Sequence, residues 1–561
     1  MVPLMKWHIV NIDQSKIEAL SKKYKFSTQF SRILLEKGID TADKITSITS
    51  PGIKSLHQAS LLPDIEQGTD RIQRAIKDGE KILIWGDEDT DGITATVFLF
   101  ELLKNLNARV FYHIPNRKKE GIGLNTPGIQ QAANLGCSLI VTVDCASSDH
   151  NEIAAAQEMG IDIVVTDHHE VPVESTPHFP LINPKRADSQ YPFPDIAGVM
   201  VAFKLGWFIA QSMLSLQSKE WQSIIPRWYP LIFLGTYADR VPLKDENFVL
   251  AHLGFEWLQK TERCGIRILR EMICKGNVCD EEAVRKMISV FSTGKRKEFG
   301  NNVGFQLLTE NNEDTLRKTI SRLLIESEEW HAHANENYKR ILVSIPQDTK
   351  EAVIFIYNPK LQFDYLGFCA SRLKERLSKP VIVASDKEEN IIGEARAPGG
   401  VNVYAILAKK SSLFLSFGGH KQACGFTIRK EHLDEMKQYL KGTFPGTSIA
   451  TEQEREMRII DTLSPEKITQ KLKNEILLLT PFAHSNPSPL FLAQGVSLSN
   501  GVYSYIIPES GKSKQIEMKN ITQTWVGIDG KPVLLDIVYY LNSSGILIIA
   551  DARPSLFNEQ T

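Results

Sequence analysis

The stretch KILIWGDEDTDG (81–92) decides the fold. After Lys81 its first residues are continuously apolar, and the run ends without transition in Gly86 and three aspartates, Asp87, Asp89 and Asp91. A short strand that is apolar on both sides has to be covered on both sides, which is the mark of a parallel sheet between helical layers. The same grammar repeats downstream. ITATVFLFELLKNL (93–106) reads as a helix and RVFYHI (109–114) as a strand. SLIVTV (138–143) ends in Asp144, HNEIAAAQEMG (150–160) reads as a helix, and IDIVVT (161–166) ends in Asp167-His168-His169. LIFLGTYA (231–238) reads as one more buried strand, ending in Asp239. Strands alternating with helices predict an α/β fold with a parallel sheet.

In such a sheet the carboxyl ends of the strands share one rim, and ligands bind there. Asp87, Asp89, Asp91, Asp144, Asp167, His168, His169 and Asp239 are therefore expected to converge. Carboxylates crowded together raise one another's pKa, and a divalent cation relieves that repulsion. Oxygen ligands with one or two imidazoles suit Mn²⁺ or Mg²⁺. There are enough ligands for two ions, and a pair about 3.5–4 Å apart is the arrangement that activates water against a phosphodiester. Taken singly, Asp144 and Asp239 read more readily as helix caps than as ligands, and His168-His169 as an ordinary surface pair. Their shared position at strand ends is what turns them into a site. Asp87-x-Asp89-x-Asp91-Gly92 does not open a calcium loop, because a strand precedes it and the twelfth position is Phe98, not Glu.

The 561 residues carry 65 Lys+Arg against 67 Asp+Glu, a formal net charge of -2, and 42% are hydrophobic. At roughly 100–200 residues per domain this predicts three or four domains. It excludes wholesale disorder and a histone-like polycation, while a local basic groove stays compatible with nucleic acid. No apolar run reaches about 18 residues, so no membrane span is expected. Met1–Val10 lacks the pattern of a signal peptide, and cytoplasmic localisation is expected. The seven cysteines (137, 145, 264, 274, 279, 369 and 424) form no CxxC pair and are expected to be structural or inert thiols.

Outside the acidic region, 14–24 and 30–37 read as short amphipathic helices. A long helix is expected over 313–343, with Leu316, Ile320, Leu323 and Leu324 on one face, bridging two domains. A second α/β segment has strands at 352–357, 380–385 and 391–397 and helices at 367–377 and 401–417. Residues 489–555 read as strands and turns, with a hairpin at Asp529-Gly530, and predict a small barrel of the oligonucleotide-binding type. Its aromatics Tyr503, Tyr505, Trp525, Tyr539 and Tyr540 are either base-stacking or core residues.

Gly86–Gly92, Val143-Asp144, Asp167-His168-His169 and Gly235–Pro242 (GTYADRVP) together resemble the four motifs of the DHH phosphoesterase superfamily. IPNRKKEGIGLN (114–125), Ile182–Pro184, AGVMVAFKL (197–205), GGHKQACG (418–425) and PFAHSNPSPLF (481–491) resemble its RecJ branch, the single-stranded-DNA-specific exonucleases. The resemblance implies a parallel-sheet DHH domain (76–312) joined by a connecting helix (313–346) to a DHH-associated domain (347–446). An N-terminal helical segment (1–75) and an OB-like β-barrel (447–561) complete the expected chain. It implies two Mn²⁺ or Mg²⁺ ions held by Asp87, Asp89, Asp91, Asp144, His168 and Asp239. His169 would face the scissile phosphate, and Asp167 would orient His168. Arg117, Arg296, Arg396, Gly418, Gly419 and His420 would bind substrate phosphates and nucleotides. Four departures stand out: Glu88 in place of an aromatic residue, Cys145-Ala146 in place of Asn-Gly, Glu394 in place of a small hydroxyl residue, and STGKRKEFGNN (292–302) in place of an Asn-Ala-Gly-Arg segment. The implied activity is exonucleolytic hydrolysis of single-stranded DNA from the 5′ end in repair and recombination, with RNA the other candidate strand. A helicase or a single-strand-binding protein is the implied partner; no oligomeric state is implied. A phosphodiesterase for short oligoribonucleotides or dinucleotides and an inactive nucleic-acid-binding scaffold are the alternative readings.

Overall fold

A computed structural model describes residues 6–117, 119–171, 178–213, 224–294, 302–345, 351–443, 456–499, 502–506, 513–519 and 534–555. KILIW forms β1 (Lys81–Trp85), followed by β2 (Arg109–His113), β3 (Cys137–Val143), β4 (Asp162–Thr166) and β5 (Leu181–Ile182). All pair in parallel, in the order β2-β1-β3-β4-β5. Ile82, Ile84, Leu139, Val141 and Val164 are wholly buried, as continuously apolar central strands require. The chain leaves β1 toward β2 on one side and continues from β3 on the other. The crevice at this reversal, beyond the carboxyl ends of β1 and β3, is where open α/β sheets bind ligands.

Helix α1 (Thr90–Asn105) follows β1, and α2 (Gly198–Met213) and α3 (Tyr229–Asp239) pack near it. The run LIFLGTYA belongs to α3, which corrects its reading as a strand. Every residue from Tyr229 to Thr236 is buried, so the helix is apolar all round and shows no amphipathic stripe. Periodicity cannot separate such a helix from a buried strand. Pro230 in the first turn is the signal that marks a helix start.

The long helix α4 (Glu313–Ser344) forms as expected, with Leu316, Ile320 and Leu323 buried. By contacts the chain divides into two units, Trp7–Leu323 with Arg458–Thr561, and Met1–Lys6 with Leu324–Met457. Helix α4 begins in the first and ends in the second, where Ala334 and Ile341 join an apolar cluster with Leu366, Leu373 and Val383. The second unit is built on β6 (Ile354–Tyr357), β7 (Val381–Lys387), β8 (Asn390–Arg396), β9 (Phe414–His420) and β10 (Ala423–Arg429), in the order β9-β10-β8-β7-β6. Only β6 and β7 pair in parallel. The helix expected over 401–417 is confined to Val403–Ala408. Phe414–His420 is strand β9, which pairs antiparallel with β10.

The strands Lys6–Ile9, Glu456–Thr462, Leu490–Val496, Leu535–Leu541, Leu547–Pro554, Ser513–Lys519, Val502–Ile506 and Leu498–Ser499 form one mixed sheet in that order. Phe30, Ile33 and Leu34 of the N-terminal helices share a core with Leu472, Ile476, Phe491 and Tyr539. Helices this short bury too little surface alone, and the two ends of the sequence supply each other's apolar partner. Tyr539 is a core residue whose hydroxyl donates to Leu463 O at 2.7 Å. Trp525 and the Asp529-Gly530 turn lie outside the described residues.

Cys274 and Cys279 are joined by a disulfide, which corrects their reading as structural or inert thiols. Lys275 (φ 50°) and Gly276 (φ 86°) turn the chain back after the helix Cys264–Cys274 and leave the two Cα atoms 5.6 Å apart. No helix among the described residues is long and apolar enough to cross a membrane.

Candidate metal centre

Three strand ends and one helix end deliver the acidic and imidazole side chains to one place. Asp87 leaves β1, and Asp89 caps α1, its Oδ1 accepting the Gly92 N–H at 3.0 Å. Asp91, in the first turn of α1, accepts the N–H groups of Gly198 (2.7 Å) and Val199 (3.0 Å) at the start of α2. A carboxylate at a helix N-terminus is stabilised by the unpaired N–H groups there. Asp144 follows β3 with φ 61°, a left-handed conformation uncommon outside glycine, and its N–H donates to Thr166 O at 3.0 Å. Gly198 makes room for it: a Cβ there would stand 2.5 Å from Asp144 Oδ1. Gly235 of α3 does the same for Asp91, which would lie 2.7 Å from such a Cβ. Asp239 closes the site from the end of α3.

His168 Nε2 lies 3.1 Å from Asp144 Oδ1, 3.7 Å from Asp239 Oδ2 and 4.0 Å from Asp91 Oδ2. Three sets of ligand atoms, each within 4.8 Å of one another, arise from Asp144, His168 and His169, from Asp91, His168 and Asp239, and from Asp87, Asp89 and Asp144. Six side chains proposed as ligands from the sequence therefore meet, and His169 meets them. Asp144 Oδ1 is buried and accepts no hydrogen bond from the described residues, so its contact with His168 is not aligned as a donor with an acceptor. The side chains gathered here could hold a metal ion, and the donor set of oxygens with imidazole fits Mn²⁺ or Mg²⁺.

Asp167 departs from its expected role. Its Oδ1 bonds the His169 ring at Nδ1 (2.7 Å) and accepts the backbone N–H groups of His168 (2.7 Å) and His169 (3.2 Å). Oδ2 accepts the Ser147 N–H at 3.0 Å. The carboxylate thus holds the imidazole of His169, two residues on, and reaches His168 through its backbone. The sequence motif does not reveal which of the two adjacent imidazoles the carboxylate holds.

The electrostatics follow from the crowding. Burial, and then Asp239 and Asp89, push Asp91 well above the usual carboxylate range. Burial, and then Asp91, Asp89 and Asp87, do the same to Asp144. Asp239 is pushed up to about 7 by burial and by Asp89. Burial would lower His169, but Asp167 outweighs it and lifts the imidazole to about 9. Burial would raise Asp167, but His169 outweighs it and holds the carboxyl far below its usual range.

Arg117, expected on a phosphate, lies against the acids. Its guanidinium pairs with Asp87, with Nε 3.3 Å from Asp87 Oδ1 and Nη2 3.9 Å from Asp89 Oδ2. Arg396, Gly418, Gly419 and His420 belong to the second unit. Arg396 pairs with Glu394 on the same face of β8, Nη1 to Oε2 2.8 Å. Registration across β8, β10 and β9 aligns Arg396 with Ala423 and His420, and Glu394 with Gly425 and Gly418. Gly419 adopts φ 140°, and a Cβ there would stand 2.3 Å from Ala423 O. Arg296 lies outside the described residues.

Comparison with known proteins agrees with this geometry. The model of the DHH family, N-terminal domain, matches residues 81–236, and that of the DHHA1 domain matches 350–444. The chain is 31% identical over 422 residues to the single-stranded-DNA-specific exonuclease RecJ of Dickeya dadantii, covering 69% of this chain and 70% of that one. It is 30% identical over 523 residues to the RecJ of Bacillus subtilis, covering 88% of this chain and 62% of the length of that relative. Among solved structures, RecJ of Thermus thermophilus in complex with Mn²⁺ matches with a TM-score of 0.77 at 20% identity, over 99% of this chain and 80% of that one. The fold and the rim define a DHH-type α/β protein with a candidate metal centre. The chain belongs to the DHH superfamily, in its RecJ branch.

Proposed function

We propose that this chain is an exonuclease that hydrolyses single-stranded DNA from the 5′ end with two Mn²⁺ or Mg²⁺ ions, in DNA repair and recombination. The observation that supports it is the meeting of Asp87, Asp89, Asp91, Asp144, His168 and Asp239 at the switch point of the sheet, in a chain of the RecJ branch. Those residues would hold the ions, which when bound supply Lewis acidity and neutralise charge on the phosphate oxygens. The chain's own groups supply the rest. Asp167 fixes the His169 ring and favours its protonated form, so the imidazolium can stabilise the pentavalent phosphorus or give a proton to the leaving oxygen. Arg117 would grip a phosphate oxygen in a bidentate fork. Arg396, Gly418, Gly419 and His420, aligned on one sheet, would receive the terminal nucleotide.

The working division is 1–75 (helical), 76–312 (DHH), 313–346 (connecting helix), 347–446 (DHH-associated) and 447–561, the last read as an OB-like module that holds the strand. A cytoplasmic enzyme fed by a helicase or by strands coated with a single-strand-binding protein fits this reading. The test is digestion of single- and double-stranded DNA in Mn²⁺. Selective loss of the single strand is expected. Equal cutting of both, or none, overturns the proposal.

A further inference from the structure

One buried acid at the rim has no part in the ligand sets. Glu88 lies between Asp87 and Asp89, is 8% exposed, and joins none of the three groups of potential ligands among the described residues. Its Oε2 accepts the backbone N–H of Arg117 at 3.1 Å, and its Oε1 stands 3.9 Å from Arg117 Nε. Arg117 thus has two kinds of hold on this corner. Its backbone is tied to Glu88, and its guanidinium is tied to Asp87 and extends toward Asp89. The turn that carries Arg117 is itself braced. Glu120 accepts the Asn116 N–H at 2.9 Å through Oε1 and contacts His113 Nε2 at 2.8 Å through Oε2.

A guanidinium and a divalent ion on the Asp87 carboxylate repel each other and draw on the same negative charge, so each weakens the other's hold there. We propose, building on the nuclease reading above, that Arg117 competes with the first divalent ion for Asp87, and that Glu88 is the positioning residue that keeps Arg117 at the rim once the ion has taken that carboxylate. With an ion held by Asp87, the guanidinium, still anchored by its backbone, would be free to turn to a phosphate of the strand. Glu88 suits this task better than an aromatic residue would. A carboxylate offers acceptors to the Arg117 N–H and a charge to its side chain, whereas a ring offers neither.

The test reads Mn²⁺ affinity by calorimetry, without turnover. Arg117→Gln removes the competing charge and is expected to bind Mn²⁺ at least tenfold more tightly than the parent; Arg117→Lys keeps a cation and stays closer to it. Glu88→Gln and Glu88→Ala lose the same charge, but only the glutamine keeps an acceptor for the Arg117 N–H. Glu88→Ala is therefore expected to bind Mn²⁺ severalfold more tightly than Glu88→Gln. It is also expected to bind a single-stranded oligodeoxynucleotide in Ca²⁺ severalfold more weakly, with Glu88→Gln restoring strand binding. Melting curves in EDTA check that each variant is folded. An Arg117→Gln protein with parental Mn²⁺ affinity, or Glu88→Ala and Glu88→Gln proteins alike in both measurements, overturns the proposal. Absence of DNA hydrolysis in the parent would strike the nuclease reading alone, since none of these readouts requires cleavage.

Discussion

Gly198→Ala is the substitution that tests the spacing of the site without touching a candidate ligand. A Cβ at this position would stand 2.5 Å from Asp144 Oδ1, 2.6 Å from its Cβ and 2.7 Å from its Cγ. Ordinary contacts begin near 3.4 Å, so about 0.9 Å of overlap has to be absorbed. Helix α2 cannot retreat freely, because the Gly198 and Val199 N–H groups are bonded to Asp91. The carboxylate of Asp144 yields instead, on a backbone already held at φ 61°. Overpacking of this kind costs about 1–3 kcal/mol of stability. A metal site tolerates only about 0.2 Å of error in ligand distance, so the effect on metal should be larger than the effect on folding. The expected loss of Mn²⁺ affinity is roughly 10–100-fold, the range seen when the support of a ligand is removed. Calorimetric Mn²⁺ titration alongside thermal melting in EDTA measures both. Gly52→Ala is the control, since a Cβ there meets nothing within 4 Å. A Gly198→Ala protein that is folded and binds Mn²⁺ like the parent refutes the reasoning.

Three further outcomes are expected. Asp144→Ala or His168→Ala should abolish cleavage of single-stranded DNA by at least a thousandfold in rate, on the order of 4 kcal/mol of barrier, while gel-shift binding in Ca²⁺ persists; a near-parental rate would contradict the assignment. The folded-state pKa values of Asp91, Asp144 and Asp239 lie above their unfolded values, so in EDTA the folded chain binds more protons than the unfolded one, and stability should fall as pH rises from about 4 to about 7. Mn²⁺ displaces those protons, so the gap between melting temperatures with Mn²⁺ and with EDTA should widen over that window, and a constant gap would count against it. Asp167→Asn should drop the His169 imidazole from about 9 toward the ordinary value near 6.5, followed by NMR titration in EDTA; an unmoved titration would show that Asp167 does not hold the ring charged.

The parallel sheet was legible because KILIW, SLIVTV and IDIVVT are apolar without alternation and end abruptly in acids. A strand buried on both faces leaves no other pattern. LIFLGTYA has the same apolar texture but belongs to α3, and only Pro230 in its first turn distinguishes it. Asp239 reached the rim all the same, from a helix end instead of a strand end. Asp167 was legible as part of the motif but not as the partner of His169, since the letters do not say which of two adjacent imidazoles its carboxylate reaches. Arg117 read as a phosphate ligand through the resemblance, and the basic run Arg117-Lys118-Lys119 gives no hint of the acid it meets across 30 residues. Gly198 and Gly235 stand inside the motifs AGVMVAFKL and GTYADRVP, but the letters give no reason for either glycine. Their role is the absence of a side chain opposite a carboxylate, and that appears only when α2 and α3 are packed. The joint core of the N-terminal helices and the C-terminal sheet was equally hidden, since neither segment's apolar residues name their partner.

The most direct measurement is product analysis on matched strands labelled at either end, as single-stranded DNA, single-stranded RNA and duplex DNA, in Mn²⁺ and in EDTA. The account expects single-stranded DNA to lose a 5′ label at once as the smallest products, a 3′-labelled strand to shorten progressively, duplex to persist, and EDTA to stop the reaction. Internal cutting, equal loss of duplex, or digestion that continues in EDTA would contradict it.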